Sequence, residues 1–361
     1  MYYFVLVIIS ILYLLTEKKN RARNRVFLSA SFIVMLAVST FRGYSVGGDL
    51  LNYIPLFDEI GKSSFESIFN GYTKYGYVFT CYIKAVSLIS SNTTFILFAI
   101  SLINLGFVFY FIRKHSCNYW LSLMIYISMA YYTNTFNSIR SSMALAVGML
   151  AIHYLLENKN FKYLLLCIIA IEIHKTIFPV LFVYFLKKIK PSRILLVSAI
   201  AVSIILVNIL NLDFFFNAIA LYSDDYANME ASGSGYSMLA LDIVLTLGAY
   251  FLLKDRIDTK SGLLINILCM ATCIQAFAPV FSLTTRMALF FTVYIIVLLP
   301  DIIDNAFTPR SRKLARIVVV AVCLIYFQIF VMTPSMMYDD GVRSNSQRTI
   351  PYRFYWQTTS Y

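Results

Sequence analysis

The chain has 361 residues, of which 60% are hydrophobic and 13% are charged, and it carries a formal net charge of +12. A water-soluble core does not need so large an apolar fraction. The composition therefore excludes an ordinary soluble enzyme and predicts that the lipid bilayer is the main solvent. The positive charge raises the question of a nucleic-acid or other anionic partner, which depends on where the charges lie along the chain.

Apolar runs recur through the sequence, and a membrane-crossing helix needs about 20 such residues. The first run lacks a preceding basic region and a cleavage site, so we predict a membrane helix there and not a removable signal peptide. Residues 76–90 carry Lys84 in their middle and are predicted to form a re-entrant or interfacial helix. The remaining runs predict an all-α polytopic membrane protein with about twelve transmembrane helices, near 1–15, 26–41, 93–112, 118–136, 138–156, 161–173, 176–186, 193–210, 237–253, 262–281, 285–300 and 314–332. One broken helix over 161–186 is the alternative for that part of the chain.

The charges orient the predicted helices. With the N-terminus outside, the loops that face inwards hold twenty of the 30 Lys and Arg residues but only six of the 18 Asp and Glu residues. This asymmetry follows the positive-inside rule, so the net charge needs no nucleic-acid partner. We expect one membrane domain over residues 1–361, with outer loops at 42–92 and 211–236 and an outer tail at 333–361.

The stretch "FRGYSVGGDLLNY" places an arginine, Arg42, on the outer side, which the positive-inside rule depletes. Close to it, Gly47 and Gly48 allow backbone amides to approach a ligand. Asp49 and Tyr53 are four residues apart, so a short helix with Asp49 as its N-cap puts both on one face. These features predict a ligand-binding rim, and the alternative is a turn whose arginine reaches the lipid headgroups.

Arg140 and Arg286 repeat this outward position at the starts of two helices. If Ser138 caps the first of these helices, Arg140 lies in its first turn, where a cation opposes the helix dipole unless an anion is bound nearby. A phosphate would collect the guanidinium and the free amides of the helix start, with added hydroxyls from Ser141 and Ser142. Two threonines precede Arg286 in a similar way. An interfacial arginine without a ligand is the alternative in both cases.

His174 lies in the apolar stretch "CIIAIEIHKTIFPVL", beside Glu172, Lys175 and a helix-breaking proline. An ionisable group near the membrane is a functional hypothesis, here a proton shuttle or a donor to phosphate. The alternative is an interfacial histidine bonded to the backbone. The other two histidines, His115 and His153, adjoin inward loops, and we predict no role for them. Metal-binding, nucleophile-elbow and Walker-type motifs are missing from the sequence, so we expect no metal and no cofactor.

Five stretches together carry a resemblance to a known family. They are "FRGYSVGGDLLNY", "SIRSSMALAVGMLAIHYL", "IEIHKTIFPVL", "TTRMALFF" and "PYRFYW". Their order and spacing resemble the EpsG/Wzy-like polysaccharide polymerases of bacteria, which make O-antigen, capsule or exopolysaccharide. The resemblance implies a membrane glycosyltransferase of GT-C-like helical architecture with outer-face re-entrant segments. Such an enzyme joins oligosaccharide units carried on undecaprenyl diphosphate at the outer face of the cytoplasmic membrane and releases undecaprenyl diphosphate. The implied partners are these lipid-linked oligosaccharides and the lipid bilayer, with room for a chain-length regulator protein and no nucleic acid.

This reaction suggests roles for the outward residues. A diphosphate leaving group needs charge stabilisation, which arginines supply without a metal. We expect Arg140 and Arg286 to bind the diphosphate. Arg42 either helps them or fixes Asp49. The acceptor hydroxyl needs a base, for which Asp49 and His174 are both candidates, and diphosphate binding is the other role open to His174. Support of the sugar or of the loop is expected from Gly47, Gly48 and Tyr53, and closure over the sugar from the 211–236 loop.

Three other functions are alternatives for a polytopic membrane protein with these charges. An O-antigen ligase uses the same donor but usually has a long outer loop late in the chain, whereas the longest internal outer segment here is early. A lipid-linked oligosaccharide flippase should have two related halves and a charged central cavity, whereas these charges cluster at one rim and the halves are not similar. A membrane acyltransferase needs an early catalytic histidine, and the first one here is His115.

Overall fold

The computed structural model describes residues 1–16, 21–70, 75–209, 235–281, 283–332 and 352–357. Within these ranges the chain is helical, and β structure is limited to an antiparallel bridge between Arg42 and Phe354. Nearly all of the predicted 211–236 loop and most of the 333–361 tail lie outside the described residues. Backbone contacts divide the chain into a first unit, Met1–Leu181 with Pro309–Tyr361, and a second unit, Phe182–Thr308. The all-α fold class is confirmed, while the single domain over 1–361 stays a prediction.

The helices of the first unit follow the predicted apolar runs and the outer segment between them. They are α1 (Tyr2–Thr16), α2 (Arg21–Thr40), α3 (Leu50–Lys62), α4 (Phe65–Phe69), α5 (Tyr77–Ser87), α6 (Thr93–His115), α7 (Tyr119–Ser128), α8 (Tyr131–Asn137), α9 (Ile139–Leu156) and α10 (Asn160–Ile173). A 3-10 helix, Lys175–Phe182, follows α10 and ends at the boundary of the unit.

The second unit begins with a short helix and continues with longer ones. They are α11 (Val183–Leu186), α12 (Arg193–Ile209), α13 (Tyr236–Leu253), α14 (Thr259–Gln275), α15 (Leu283–Thr292) and α16 (Ile295–Ala306). The chain then returns to the first unit through α17 (Pro309–Phe327), which a π-helical turn, Gln328–Met332, extends.

Among the described residues, four helices are long and apolar enough to cross a membrane, and α15 with α16, bent by 45°, would make a fifth. The four are Thr93–His115, Ile139–Leu156, Tyr236–Arg256 and Pro309–Met332. Several other predicted runs coincide with apolar helices of 10 to 17 residues. On α17, Leu314 and Ile317 each expose 64% of their surface, as residues that face lipid would. The described helices are those of a multi-pass membrane protein, and the number of twelve spans stays a prediction.

Helices α9 and α10 form a hairpin whose connection runs from Glu157 to Lys159. An α-helix rises 1.5 Å per residue, so α9 is about 27 Å long and α10 about 21 Å. Because the connection is so short, the two helices run antiparallel. The start of α9 and the end of α10 therefore lie at the same end of the hairpin, which brings Arg140 and His174 to one side of the unit.

The predicted run 118–136 contains a break in place of one continuous helix. Ala130 has a φ of 64°, a left-handed conformation that ends α7 and starts α8. Such a conformation costs a residue with a Cβ about 1–2 kcal/mol. The chain breaks again at Ser138, between α8 and α9. As a result Phe136 and Asn137 stand at the end of a seven-residue helix, where they meet the 42–49 loop.

Residues 42–92 contain the short helices α3, α4 and α5. Helix α5 has 11 residues, too few to cross a bilayer, and it packs on α3. Lys84, predicted from its charge to keep this segment out of the bilayer, is 8% exposed and donates from Nζ to the carbonyl oxygen of Gly61 at 2.8 Å. This lysine therefore fastens α5 to α3, the helix that carries Tyr53.

Candidate functional site

The loop between α2 and α3 is anchored on the break between α8 and α9. Gly47 has a φ of 100°, and a methyl group at this position would lie 2.2 Å from the carbonyl oxygen of Phe136. The backbone amide of Gly48 donates to Oδ1 of Asn137 at 3.1 Å. Only glycine allows this conformation and this close approach together. The close backbone approach at these glycines is to the protein's own Phe136–Asn137 segment, and their predicted approach to a ligand stays a prediction.

Arg42 is buried at the end of α2, with 3% of its surface exposed. Its Nη1 donates to the carbonyl oxygen of Ser39 at 2.7 Å, and its guanidinium carbon lies 4.8 Å from the ring centre of Phe136. Its Nε, also buried, has no hydrogen-bond acceptor among the described residues. Burial lowers the pKa of Arg42 to about 10, because removal from water disfavours the charged form. The alternative in which this arginine reaches the headgroups as a surface side chain is therefore wrong.

A short piece of the C-terminal tail holds the backbone on both sides of Arg42. We call residues 352–357 the C-terminal strap. The amide of Gly43 donates to the carbonyl of Arg353 at 2.7 Å, and the amide of Tyr355 donates to the carbonyl of Phe41 at 3.0 Å. The hydroxyl of Tyr352 donates to the carbonyl of Val38 at 2.7 Å. These bonds fix the position of Arg42 from a segment more than 300 residues away in the sequence.

Arg140 is the second residue of α9 and is partly buried. Its Nε donates to the hydroxyl of Tyr53 at 2.9 Å, and its Nη1 donates to the carbonyl of Tyr75 at 3.0 Å. The guanidinium carbon also lies 4.8 Å from the ring centre of Tyr75. Three contacts thus orient the guanidinium, and all three partners are uncharged.

Tyr53 and Asp49 occupy the start of α3 as predicted. Asp49 is at the predicted N-cap position, but its side chain makes no capping hydrogen bond. Burial raises the pKa of Tyr53, although the neighbouring Arg140 acts in the opposite direction. The phenol therefore stays neutral near pH 7. Because it accepts a hydrogen bond from Arg140, its own proton remains available to another acceptor.

The start of α9 differs from the prediction in its side chains. Ser138 stands at the N-cap position, yet its side chain makes no capping bond. The hydroxyl of Ser141 donates to the carbonyl of Ser138 at 3.3 Å, and that of Ser142 to the carbonyl of Asn134 at 3.4 Å. These hydroxyl protons are directed at the backbone and away from an incoming anion. The first amides of α9, in contrast, lack a capping side chain, which leaves this helix end attractive to an anion.

His174 follows the last residue of α10 and is partly buried. The link from this residue to Arg140 runs through Gly76, which has a φ of 84°. A methyl group at Gly76 would lie 2.1 Å from the carbonyl oxygen of Glu172. Since the carbonyl of the preceding Tyr75 binds Arg140, the end of α10 packs against the segment that orients this arginine.

Arg286 lies in the second unit, on α15, with an exposed side chain. Within the described part of the chain no hydrogen bond or ion pair of this side chain is found. The hydroxyl of the neighbouring Thr285 accepts from Nε2 of Gln275 at 3.4 Å. The predicted role of Arg286 in diphosphate binding stays a prediction.

The site of the first unit thus contains two guanidinium groups without a carboxylate partner among the described residues. The family model described as "EpsG family" matches residues 25–354, which include all of these groups. The chain belongs to the EpsG family. This is the family of Wzy-like polysaccharide polymerases. Neither curated proteins nor solved structures give a match to the chain.

Several residues of the site in this EpsG family protein were not predicted from the sequence. Phe136, Asn137 and Tyr75 contact the predicted residues but sit in stretches of ordinary aromatic and polar composition. Their signal is local: Asn137 comes just before an arginine-bearing helix start, and Tyr75 just before Gly76. The C-terminal strap overlaps the stretch "PYRFYW", which carries part of the family resemblance, and nothing in its composition pairs it with Arg42.

A second polar cluster joins α6 to α9 at the other end of the hairpin. Nε2 of His115 and Nδ1 of His153 are 2.9 Å apart, and the hydroxyl of Tyr110 lies 3.2 Å from Nε2 of His153. Oε1 of Glu157 lies 3.3 Å from the same Nε2. The sequence predicted no role for these two histidines, which are 38 residues apart. The cluster ties two membrane helices together and lies apart from the arginines of the site.

Proposed function

We propose that this EpsG family protein polymerises oligosaccharide units carried on undecaprenyl diphosphate at the outer face of the cytoplasmic membrane. A GT-C-like architecture with about twelve spans is part of this proposal. The observation that carries it is the pair of oriented arginines, Arg42 and Arg140, which have no carboxylate partner in the part of the chain that the structure describes. A guanidinium held out of water without a counter-ion is costly. A bound diphosphate would provide that counter-ion and accept hydrogen bonds from both groups.

The reaction needs one bond to form and one to break. The acceptor hydroxyl oxygen attacks the anomeric carbon of the growing chain, and the bond from that carbon to the diphosphate oxygen breaks with its electron pair. Arg42 and Arg140 stabilise the negative charge that develops on the leaving diphosphate. The neutral Tyr53 donates a hydrogen bond from its hydroxyl to the same group. The hydroxyl proton of the acceptor passes to a base, for which Asp49 and His174 remain the two candidates.

The outer face is supported by the charge distribution. The arginines of the site belong to segments on the side where Lys and Arg are scarce, opposite to the loops that hold most of the basic residues. Undecaprenyl chains need access to the site from the bilayer. Helices α3 and α5 are too short to cross the bilayer, so neither forms a transmembrane barrier between the lipid and the site. The proposed partners are therefore the lipid-linked oligosaccharide and the bilayer, and a chain-length regulator protein remains part of this expectation.

The test uses purified protein in detergent with undecaprenyl-diphosphate oligosaccharide of the source strain, in the absence of divalent metal. We expect wild type to give a ladder of polymer and Arg140→Ala to reduce its rate by about a hundredfold, as for loss of one charge-stabilising donor. Arg140→Lys should stay defective, since lysine lacks the planar fork of donors with which arginine reaches Tyr53, Tyr75 and a bound diphosphate together. Arg113→Ala, which also removes one positive charge from the first unit, is the matched control and should polymerise normally.

Two results would overturn the proposal in different ways. Equal ladders from wild type and Arg140→Ala would show that this arginine does not act on the diphosphate. No ladder from wild type, together with transfer of the lipid-linked unit across reconstituted vesicles, would indicate a flippase. Arg286→Ala and Arg42→Ala, run beside these variants, test the other two predicted diphosphate ligands.

A further inference from the structure

An exposed aromatic cluster adjoins the buried Arg42. Phe41 exposes 39% of its surface, Tyr355 41% and Trp356 59%. The ring centre of Phe41 lies 6.1 Å from that of Tyr355 and 6.1 Å from that of Trp356. The ring centres of Tyr355 and Trp356 are 5.0 Å apart. Three large rings thus form one surface, and the first of them immediately precedes Arg42 in the chain.

Backbone hydrogen bonds and ring stacking hold this exposed aromatic cluster in place. The amide of Tyr355 donates to the carbonyl of Phe41, within the same backbone pairing that fixes Arg42. The ring of Trp356 stacks on Phe354 with a centroid distance of 4.5 Å and an interplanar angle of 5°. This stack covers one face of the indole and sets its orientation. A fixed ring costs little further entropy when a ligand stacks on it.

Polar groups border these rings. Oε1 of Gln357 accepts a hydrogen bond from the amide of Phe354 at 2.9 Å, which orients the side-chain amide. Its Nε2 donors are therefore available to a ligand. Arg353, on the same strap, has an exposed side chain. Apolar ring faces with hydrogen-bond donors at their edge match a pyranose, which has a C–H face and a rim of hydroxyl groups.

We propose that Phe41, Tyr355 and Trp356 form a saccharide-binding subsite that holds a hexopyranose residue of the growing polymer. The inference rests on the proposed function, because it takes Arg42 to bind the diphosphate to which that polymer is attached. A membrane-interface belt would account for the aromatic residues. It would not require their pairing with the backbone beside Arg42. A grip on the polymer next to its diphosphate keeps the chain on the enzyme between additions.

The first measurement uses tryptophan fluorescence of the full-length protein in detergent. The chain has two tryptophans, and Trp120 stacks on Tyr13 and donates to the hydroxyl of Ser10, in contacts separate from the strap. A Trp120→Phe variant leaves Trp356 as the single reporter. Lipid-free fragments of the strain's own polymer should quench or shift its emission in a saturable way, while a polyethylene glycol of equal length, which has no sugar ring, should not. An unchanged emission with those fragments would refute the subsite.

The second measurement separates sugar stacking from lipid contact. Trp356→Leu keeps an apolar side chain for lipid, and Trp356→Phe keeps a ring for sugar. We expect the leucine variant to bind polymer fragments about fivefold to tenfold more weakly, in the range of one aromatic stacking contact, and to give shorter polymer. The phenylalanine variant should stay close to wild type. If both variants give wild-type ladders, the subsite is refuted while the polymerase stands. If wild type itself gives no ladder, it is the proposed function that fails.

Discussion

The substitution Gly47→Ala tests whether the 42–49 loop positions the site. A methyl group at Gly47 would lie 2.2 Å from the carbonyl oxygen and 2.8 Å from the carbonyl carbon of Phe136. Ordinary contacts begin at 3.4 Å, so one of the two backbones must move by about 1.2 Å. The φ of 100° adds strain for any residue with a Cβ, of about 1–2 kcal/mol. The shift would also break the bond from Gly48 to Asn137, worth about 1 kcal/mol.

These terms add to a loss of about 2–3 kcal/mol in the free energy of unfolding, unless the loop moves to relieve the clash. Movement has its own consequence, because Phe136 lies under the guanidinium of Arg42. A displacement of about 1 Å at a positioning element reduces turnover by roughly a hundredfold. We therefore expect Gly47→Ala to lose polymerisation, with either a lower melting temperature or a relocated loop.

The assay measures polymer yield from lipid-linked oligosaccharide beside thermal unfolding in the same detergent. Gly106→Ala is the matched control, since a methyl group there meets no atom within 4 Å and the residue lies inside α6. Helix propensity makes that control about 1 kcal/mol more stable or neutral. Wild-type melting and wild-type polymer yield from Gly47→Ala would refute the argument that this approach of two backbones builds the site.

Two further predictions concern single hydrogen-bonding groups. Tyr53→Phe removes the acceptor of the Arg140 Nε proton and should lower turnover about tenfold. The control is Tyr77→Phe, at an exposed tyrosine of α5, which should leave turnover unchanged. Equal rates from the two variants would show that the Tyr53 hydroxyl is dispensable. Asp258→Ala should destabilise the start of α14 by about 1 kcal/mol. Although burial acts against it, hydrogen bonds from Ser261 hold the pKa of Asp258 below its usual value, so this contribution is complete above about pH 4 and fades as the pH falls further. A wild-type minus Asp258→Ala stability difference that stays constant between pH 6 and pH 3 would contradict it.

The helices were predictable because hydrophobic runs report them directly. Twelve predicted runs correspond to described helices or to pairs of helices, with boundaries that agree within a few residues at most ends. Their breaks were harder to see. Ala130 takes a left-handed conformation although it is neither a glycine nor next to a proline. The sequence did predict a break near His174, since a proline follows it.

For the candidate site, the sequence identified charged residues but not the neutral groups that orient them. Arginine on the side that the positive-inside rule depletes is a strong local signal, and it located Arg42 and Arg140. Their partners are two backbone carbonyls, two aromatic rings and a phenol, which are common everywhere in a chain with 27 tyrosines and 30 phenylalanines. The role of the C-terminal strap depends on a pairing across more than 300 residues, which composition does not encode.

The neutral partners of the arginines bear on their chemistry. A carboxylate would orient a guanidinium equally well, but it would also neutralise it, and a diphosphate would then have to displace the carboxylate. Tyr53 and the carbonyl of Tyr75 fix the direction of Arg140 while leaving its charge uncompensated. The ring of Phe136 and the carbonyl of Ser39 do the same for Arg42.

Such a site is unfavourable when empty, as the lowered pKa of Arg42 indicates. The arrangement persists because uncharged contacts fix the backbone around it. These contacts are the close packing of Gly47 on Phe136 and of Gly76 on Glu172, and the hydrogen bonds to the C-terminal strap. The surrounding fold thus holds uncompensated positive charge in place, and an anionic substrate would neutralise that charge on binding.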